Sequence, residues 1–311
     1  MEEKQIYADP TYDTAFKRIL GSEKFKSVTI DVLNSFIEDR HITDVKFINP
    51  ELLPESKQSR KAIVDVICTD ESGAHFIVEM QRAKQANFLQ RSYFYISKVT
   101  ATLEGPIGDW EFDINPTYML SFLYFKMDYL VKDERLKGRT ILKYSIREEE
   151  SNVKMNPSSE MYFVDVHSFD KNLENITDIK EIWIYLFKNS KYLSMIPEKL
   201  KSHKPFMDYF EACALANFTP EQQLAYFNEQ MAEWDNYNIQ KYAIKESREQ
   251  GREEGREQGR EQGREEGRKQ GREEGREEAS LESARKFKAL GVSAEIISSA
   301  TGLSLEKIAE L

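Results

Sequence analysis

Cysteine is scarce, with only Cys68 and Cys213 in 311 residues. So distant a pair offers neither a zinc motif nor a disulfide framework, and a reducing, cytoplasmic setting is expected. The four histidines, His41, His75, His167 and His203, are scattered and read as surface or satisfied core residues. Long apolar runs are missing too. The longest near-apolar stretch, 118–125, is far short of the roughly 20 residues that a spanning helix needs. No membrane partner is expected. The opening MEEKQIYADP has no basic stretch leading into an apolar one, so no signal peptide is expected. Positive charge is also in deficit, with 44 Lys+Arg against 54 Asp+Glu and a net charge of −10. A protein that coats DNA by bulk positive charge is excluded. Contact with nucleic acid would need a local basic patch or a bound metal.

What is present divides into three zones: a mixed α/β body over 1–218, a helical connector and charged arm over 219–278, and a small helical tail over 279–311. The body begins with a short amphipathic helix carrying Phe16, Ile19 and Leu20 and closed by Gly21. A second helix follows, with Val28, Val32, Leu33, Phe36 and Ile37 at helical spacing and Ser22 as its N-cap. Extended runs are expected at 42–49, 61–69, 74–81, 118–125, 140–146 and 161–166. Helices are expected at 87–104, 178–190 and 206–217.

The most informative stretch is AIVDVICTDESGAHFIVEMQ. Gly73 can supply the positive φ of a short hairpin loop. If Asp70 pairs with Ala74, then Asp65 falls opposite Glu79, and Gln81 projects on the same side one strand repeat further on. The other face then holds Val64, Val66, Phe76, Val78 and Met80. Two opposed carboxylates repel unless something positive lies between them. Mg²⁺ suits that position, because it takes one or two carboxylates and completes its shell with water and phosphate oxygens. A hairpin with an ordinary hydrated face produces the same pattern, and a register slip of one residue would separate the two acids.

Asp65 followed by Glu79-Met80-Gln81 after a β-turn resembles the PD-(D/E)XK nuclease core. More narrowly, the chain resembles the Rpn family of recombination-promoting nucleases and putative transposases. The opening run Asp9-Pro-Thr-Tyr-Asp13-Thr-Ala-Phe16-Lys17-Arg-Ile-Leu-Gly21, the run Arg91-Ser-Tyr-Phe-Tyr95 and the four-residue C-terminal repeats extend the likeness over most of the chain. The resemblance implies an α/β, restriction-endonuclease-like fold, a mixed central sheet flanked by helices, followed by a helical C-terminal region. It implies a metal-dependent DNA endonuclease that promotes recombination, with Asp65 and Glu79 holding Mg²⁺ or, in its place, Mn²⁺, and with DNA as partner. Two departures stand out: Val64 occupies the place of the motif's Pro, and Gln81 that of its Lys. Gln can hydrogen-bond a water but cannot act as a base or carry charge. Glu-x-Gln is nevertheless the form expected in the Rpn branch.

Supporting parts can be placed around that centre. Lys57, Arg60 and Lys61 precede the first strand of the hairpin, and Arg82 and Lys84 follow the second. They are candidates for the basic patch, or for a solvated rim. Arg91 and Tyr95, at i and i+4 on one helix, could clamp a phosphate or pack on the sheet. Asp13, at a helix start, is a candidate third metal ligand or a favourable charge for the helix dipole.

Residues 251–278 comprise seven tetrads of the form Gly-Arg-Glu-Glu and its variants. Each Gly costs a helix roughly 1 kcal/mol relative to Ala, whereas a Glu three residues before the next Arg returns about 0.2–0.5 kcal/mol. A marginal arm is expected, ordered mainly where another chain meets it, or else a semi-flexible spacer. Homo-oligomerisation through the C-terminal helical region follows, Leu224, Phe227, Met231 and Trp234 forming one apolar row ahead of the repeat. Glu neutralises most tetrads, so nucleic-acid binding there is not expected. The tail reads as a small helical cap. The competing reading of the whole chain is an inactive nuclease-fold protein that assembles through its arm.

Overall fold

A computed structural model describes residues 5–49, 64–85, 87–103, 114–155 and 159–311. The first 233 residues form one compact unit, and Trp234–Leu311 form a second.

Within the first unit the chain runs α1 (Asp13–Leu20), α2 (Lys26–Phe36), β1 (Val45–Ile48), β2 (Val66–Asp70), β3 (His75–Gln81) and α3 (Phe88–Leu103). It continues through β4 (Thr117–Leu123), β5 (Ile141–Ser145), β6 (Glu160–Asp165), α4 (Ile179–Asn189) and α5 (Lys204–Cys213). The six strands make one mixed sheet in the order β1-β2-β3-β4-β6-β5. Strands β3, β4 and β6 are parallel, and the outer pairings are antiparallel. This is the mixed sheet with flanking helices expected for a PD-(D/E)XK core. Both cysteines are free and buried. No helix among the described residues is long and apolar enough to cross a membrane.

The β2–β3 hairpin takes the anticipated register, with Val66 opposite Val78 and Thr69 opposite His75. Its turn is built around Asp70. The Asp70 carboxylate accepts hydrogen bonds from the amides of Ser72 and Ala74, each at 2.9 Å. Gly73 adopts φ +88°, a conformation in which a Cβ is strained and would meet Asn115 at 3.0 Å.

One expectation needs correcting. The strand face that carries Glu79 is not a polar, hydrated surface. Ile67, Ile77 and Met119 on that face are buried against Tyr95, Ile96 and Val99 of α3. The opposite face, with Val66, Phe76, Val78, Leu120 and Phe122, packs on α1, α2, α4 and α5. Central strands with parallel neighbours are covered on both sides, so the two acids emerge at the end of a layered core rather than from an open sheet.

A long helix, α6 (Pro220–Ala289), crosses from the first unit into the second. It starts with a reciprocal cap: the Gln222 amide donates to Thr219 Oγ1 at 3.2 Å, and the Thr219 amide to Gln222 Oε1 at 3.1 Å. All seven tetrads are helical. Within the second unit, α7 (Ala294–Thr301) and α8 (Leu305–Glu310) fold onto the end of α6. Ala284, Ile297, Leu303 and Ile308 form the small buried cluster there, the helical cap anticipated from the sequence.

Candidate active site

Asp65 stands immediately before β2, and Glu79 lies near the end of β3. Each carboxylate is held by the other strand's backbone. The Asp65 amide donates to Glu79 Oε1 at 3.1 Å, and the Met80 amide donates to Asp65 Oδ2 at 2.9 Å. Hairpin register thus places two acids, fourteen residues apart in the chain, in direct contact.

Both acids are held away from their ordinary ionisation. Burial, reinforced by Asp13, pushes Asp65 up to about 6, against the Met80 amide and the Lys17 charge. Glu79 is 5 % exposed. Burial and then the Asp65 charge push it well above the usual carboxylate range, and Arg91 opposes them. Two acids this close favour the neutral form unless a cation lies between them.

Two basic side chains face the pair. Lys17, on α1, is partly desolvated, which alone would lower its pKa, but its bond to Asp13 and the fields of Asp65 and Glu79 raise it. Arg91, on α3, donates to the Tyr95 hydroxyl at 2.7 Å, with its guanidinium 5.4 Å from that ring. Arg91 and Tyr95 are therefore brought together beside Glu79, as their spacing anticipated. Gln81 is half-buried on the same strand as Glu79, its amide donating to the Ala83 carbonyl at 3.0 Å.

The remaining candidates are placed as follows. Asp13 is exposed and bound to Lys17 at 2.9 Å. No group of three His, Cys, Asp or Glu side chains that could hold a metal occurs among the described residues. Arg82 is engaged within the fold. It bonds both Glu233 oxygens at 2.6 Å, contacts Thr11 and Asp9, and covers the Tyr12 ring at 4.0 Å. Lys57, Arg60 and Lys61 lie outside the described residues. Lys84 is exposed.

The donor set fits a hard divalent cation. Two mutually repelling carboxylates, Glu79 buried and Asp65 partly so, are the protein contribution that Mg²⁺ commonly takes, its remaining ligands being water and phosphate oxygens. Lys17 was missed as a site residue although it lies in the opening motif; the one local signal was its position one helical turn after Asp13. Ser121 was missed entirely. It pairs with Glu79 across β3 and β4, is fully buried, and its hydroxyl has no hydrogen-bond partner.

Comparison with known families agrees with this geometry. A family model described as PD-(D/E)XK nuclease family transposase matches residues 10–243. No curated protein and no solved structure matches the chain. The match takes in every strand of the sheet, both acids and the first turns of α6, and the chain therefore belongs to the PD-(D/E)XK nuclease family transposases.

Proposed function

We propose that the protein is an endonuclease that hydrolyses DNA phosphodiester bonds with a divalent cation, Mg²⁺ or Mn²⁺, and whose nicks promote recombination. The observation that carries this reading is the opposed pair Asp65–Glu79 at the end of the family's hairpin, each carboxylate fixed by a backbone amide of the neighbouring strand. A cation bound there supplies polarisation of the scissile phosphate, activation of water and stabilisation of the leaving oxygen. Asp65 and Glu79 hold it, each fixed by a backbone amide of the neighbouring strand. Gln81 orients the attacking water by hydrogen bonding. Lys17 provides the positive charge that Gln81 lacks, and Asp13 positions Lys17 rather than binding metal.

Arg91, braced on Tyr95, contacts a backbone phosphate. The phosphate role proposed for Lys57, Arg60 and Lys61 stands on sequence alone. Arg82 is withdrawn from it, because its charge is spent on Asp9 and Glu233. With both thiols buried and free, the setting we assign is cytoplasmic.

Incubation of purified protein with supercoiled plasmid tests the reading. Nicking should need Mg²⁺ or Mn²⁺, stop on chelation and vanish in Asp65→Ala. Nicking that persists in Asp65→Ala, or in chelator, overturns the assignment.

We also propose self-association through α6. Tyr226 is buried against the body, and Glu229 and Glu233 bond Thr14 and Arg82. Leu224, Phe227 and Met231 are 62 %, 56 % and 44 % exposed, an apolar row turned away from the body. Light scattering at micromolar concentration should report an oligomer. Phe227→Asp should shift it to monomer, and a wild-type monomer overturns this part.

A further inference from the structure

Ser121 occupies an expensive position. A buried hydroxyl left without a partner forfeits its solvation with nothing in return. Ser121 is fully buried on β4, and Oγ finds no acceptor. Its neighbours define where the hydroxyl looks. Ser121 pairs with Glu79 on one side and with Phe163 on the other. Alternation along β4 puts Met119, Ser121 and Leu123 on the face covered by α3, and Met119 and Leu123 are buried there with Tyr95 and Phe88. Glu79 points to that same face, one strand spacing of about 4.8 Å away. Ser92 of α3 is buried as well, but its hydroxyl is satisfied by the Phe88 carbonyl at 2.9 Å.

Glu79 is the acceptor that strand pairing sets beside this hydroxyl. Its Oε1 accepts the Asp65 amide at 3.1 Å, which fixes the carboxylate from the β2 side. Nothing comparable holds it from the β4 side among the described hydrogen bonds, and there the buried donor without a partner is the Ser121 hydroxyl.

We infer that Ser121 is a positioning residue for Glu79: its hydroxyl donates to the Glu79 carboxylate in the metal-loaded state and orients it as a ligand. This rests on the metal-dependent reading given above. The step is the closing of one hydrogen bond, from Ser121 Oγ to the Glu79 carboxylate. Partners of this kind, which fix a ligating carboxylate from behind, commonly change metal affinity 10–100-fold when removed.

The experiment is a titration of the full-length protein with Mg²⁺ and with Mn²⁺, read as melting temperature, alongside plasmid nicking. Wild type should melt higher as metal is added, and Asp65→Asn should not. Ser121→Ala should melt no lower than wild type without metal, because it removes an unbonded hydroxyl, yet need about tenfold more metal for the same shift and for half-maximal nicking. Its rate at saturating metal should stay near that of wild type. Ser121→Cys, close in size but a weak donor, should behave like Ala, and Ser121→Thr should recover most of the affinity. Should Ser121→Ala and Ser121→Cys respond at the wild-type metal concentration, the inference fails while the metal site stands. Should wild type itself show no metal response, the metal site fails first and the inference with it.

Discussion

Glu79→Gln should abolish nicking and at the same time stabilise the metal-free protein. The loss of activity is expected to be on the order of a thousandfold or more, since the substitution removes a cation ligand and leaves the rest of the strand in place. The gain in stability follows from the pair's electrostatics. Asp65 ionises near 6 in the folded protein, against 3.8 for the free side chain, and Glu79 is raised too. Between those values the folded state keeps a proton that the unfolded state has released, so stability falls as pH rises from about 4 through about 6 and stays low above it. The Asp65 shift alone corresponds to roughly 3 kcal/mol. A neutral carboxamide at 79 removes the like-charge repulsion, and at pH 8 without metal the variant should melt several degrees above wild type. The advantage should shrink as pH falls through about 6, where wild type takes up protons that the unfolded chain has not yet bound. A variant that melts lower than wild type at pH 8 would show that the pair is not a source of strain.

The second large effect is expected at Asp9. Its carboxylate accepts the Thr11 amide at 3.0 Å, the Thr11 hydroxyl at 2.6 Å and the Lys191 ammonium at 2.6 Å, with Arg82 at 3.5 Å. Burial would raise Asp9, but Lys191 and the two Thr11 bonds overturn that and hold it below the usual carboxylate range. Lys191 in turn bonds the Tyr124 hydroxyl at 3.1 Å. Asp9→Ala would leave Lys191 partly buried and short of a counter-charge, whereas Arg82 keeps Glu233. Breaking one side of such a pair costs about 3–5 kcal/mol. Because the folded pKa is depressed, the stabilisation is present above the unfolded value near 4 and is lost as pH falls below it. Urea denaturation at pH 7 should show the loss, and Lys191→Met in the Asp9→Ala background should restore part of it. A loss under 1 kcal/mol would mean that solvent already screens the cluster.

The same cluster shows what local pattern does not reveal. Arg82 follows a strand next to candidate active-site residues, and nothing nearby in the chain says whether its charge is free. Its partner, Glu233, is 151 positions away on α6. The first turns of α6 are tied to the body by Tyr226, Glu229 and Glu233, although composition alone draws the boundary at 218. The tetrads behave differently again. None of the expected Glu–Arg contacts at i, i+3 closes into an ion pair among the described residues, yet the segment is helical throughout. Support for so glycine-rich a helix has to come from outside the chain's own pairs, which is the physical ground for the proposed association.

By itself the sequence determined the hairpin, its register and the opposition of Asp65 to Glu79. A period of two and a glycine able to take positive φ act over about twenty neighbouring residues, and no distant partner can alter that arithmetic. It likewise determined the first helices, each strand of the sheet to within a few residues, and the capped tail. Only the tertiary structure decided that β3 runs parallel to β4, which covers both faces of the hairpin, buries Glu79, and sets Ser121 beside it with no partner of its own. Strand order, and the pairing of a cation with an acid a hundred residues away, depend on which surfaces meet when the chain closes. No local period encodes that choice.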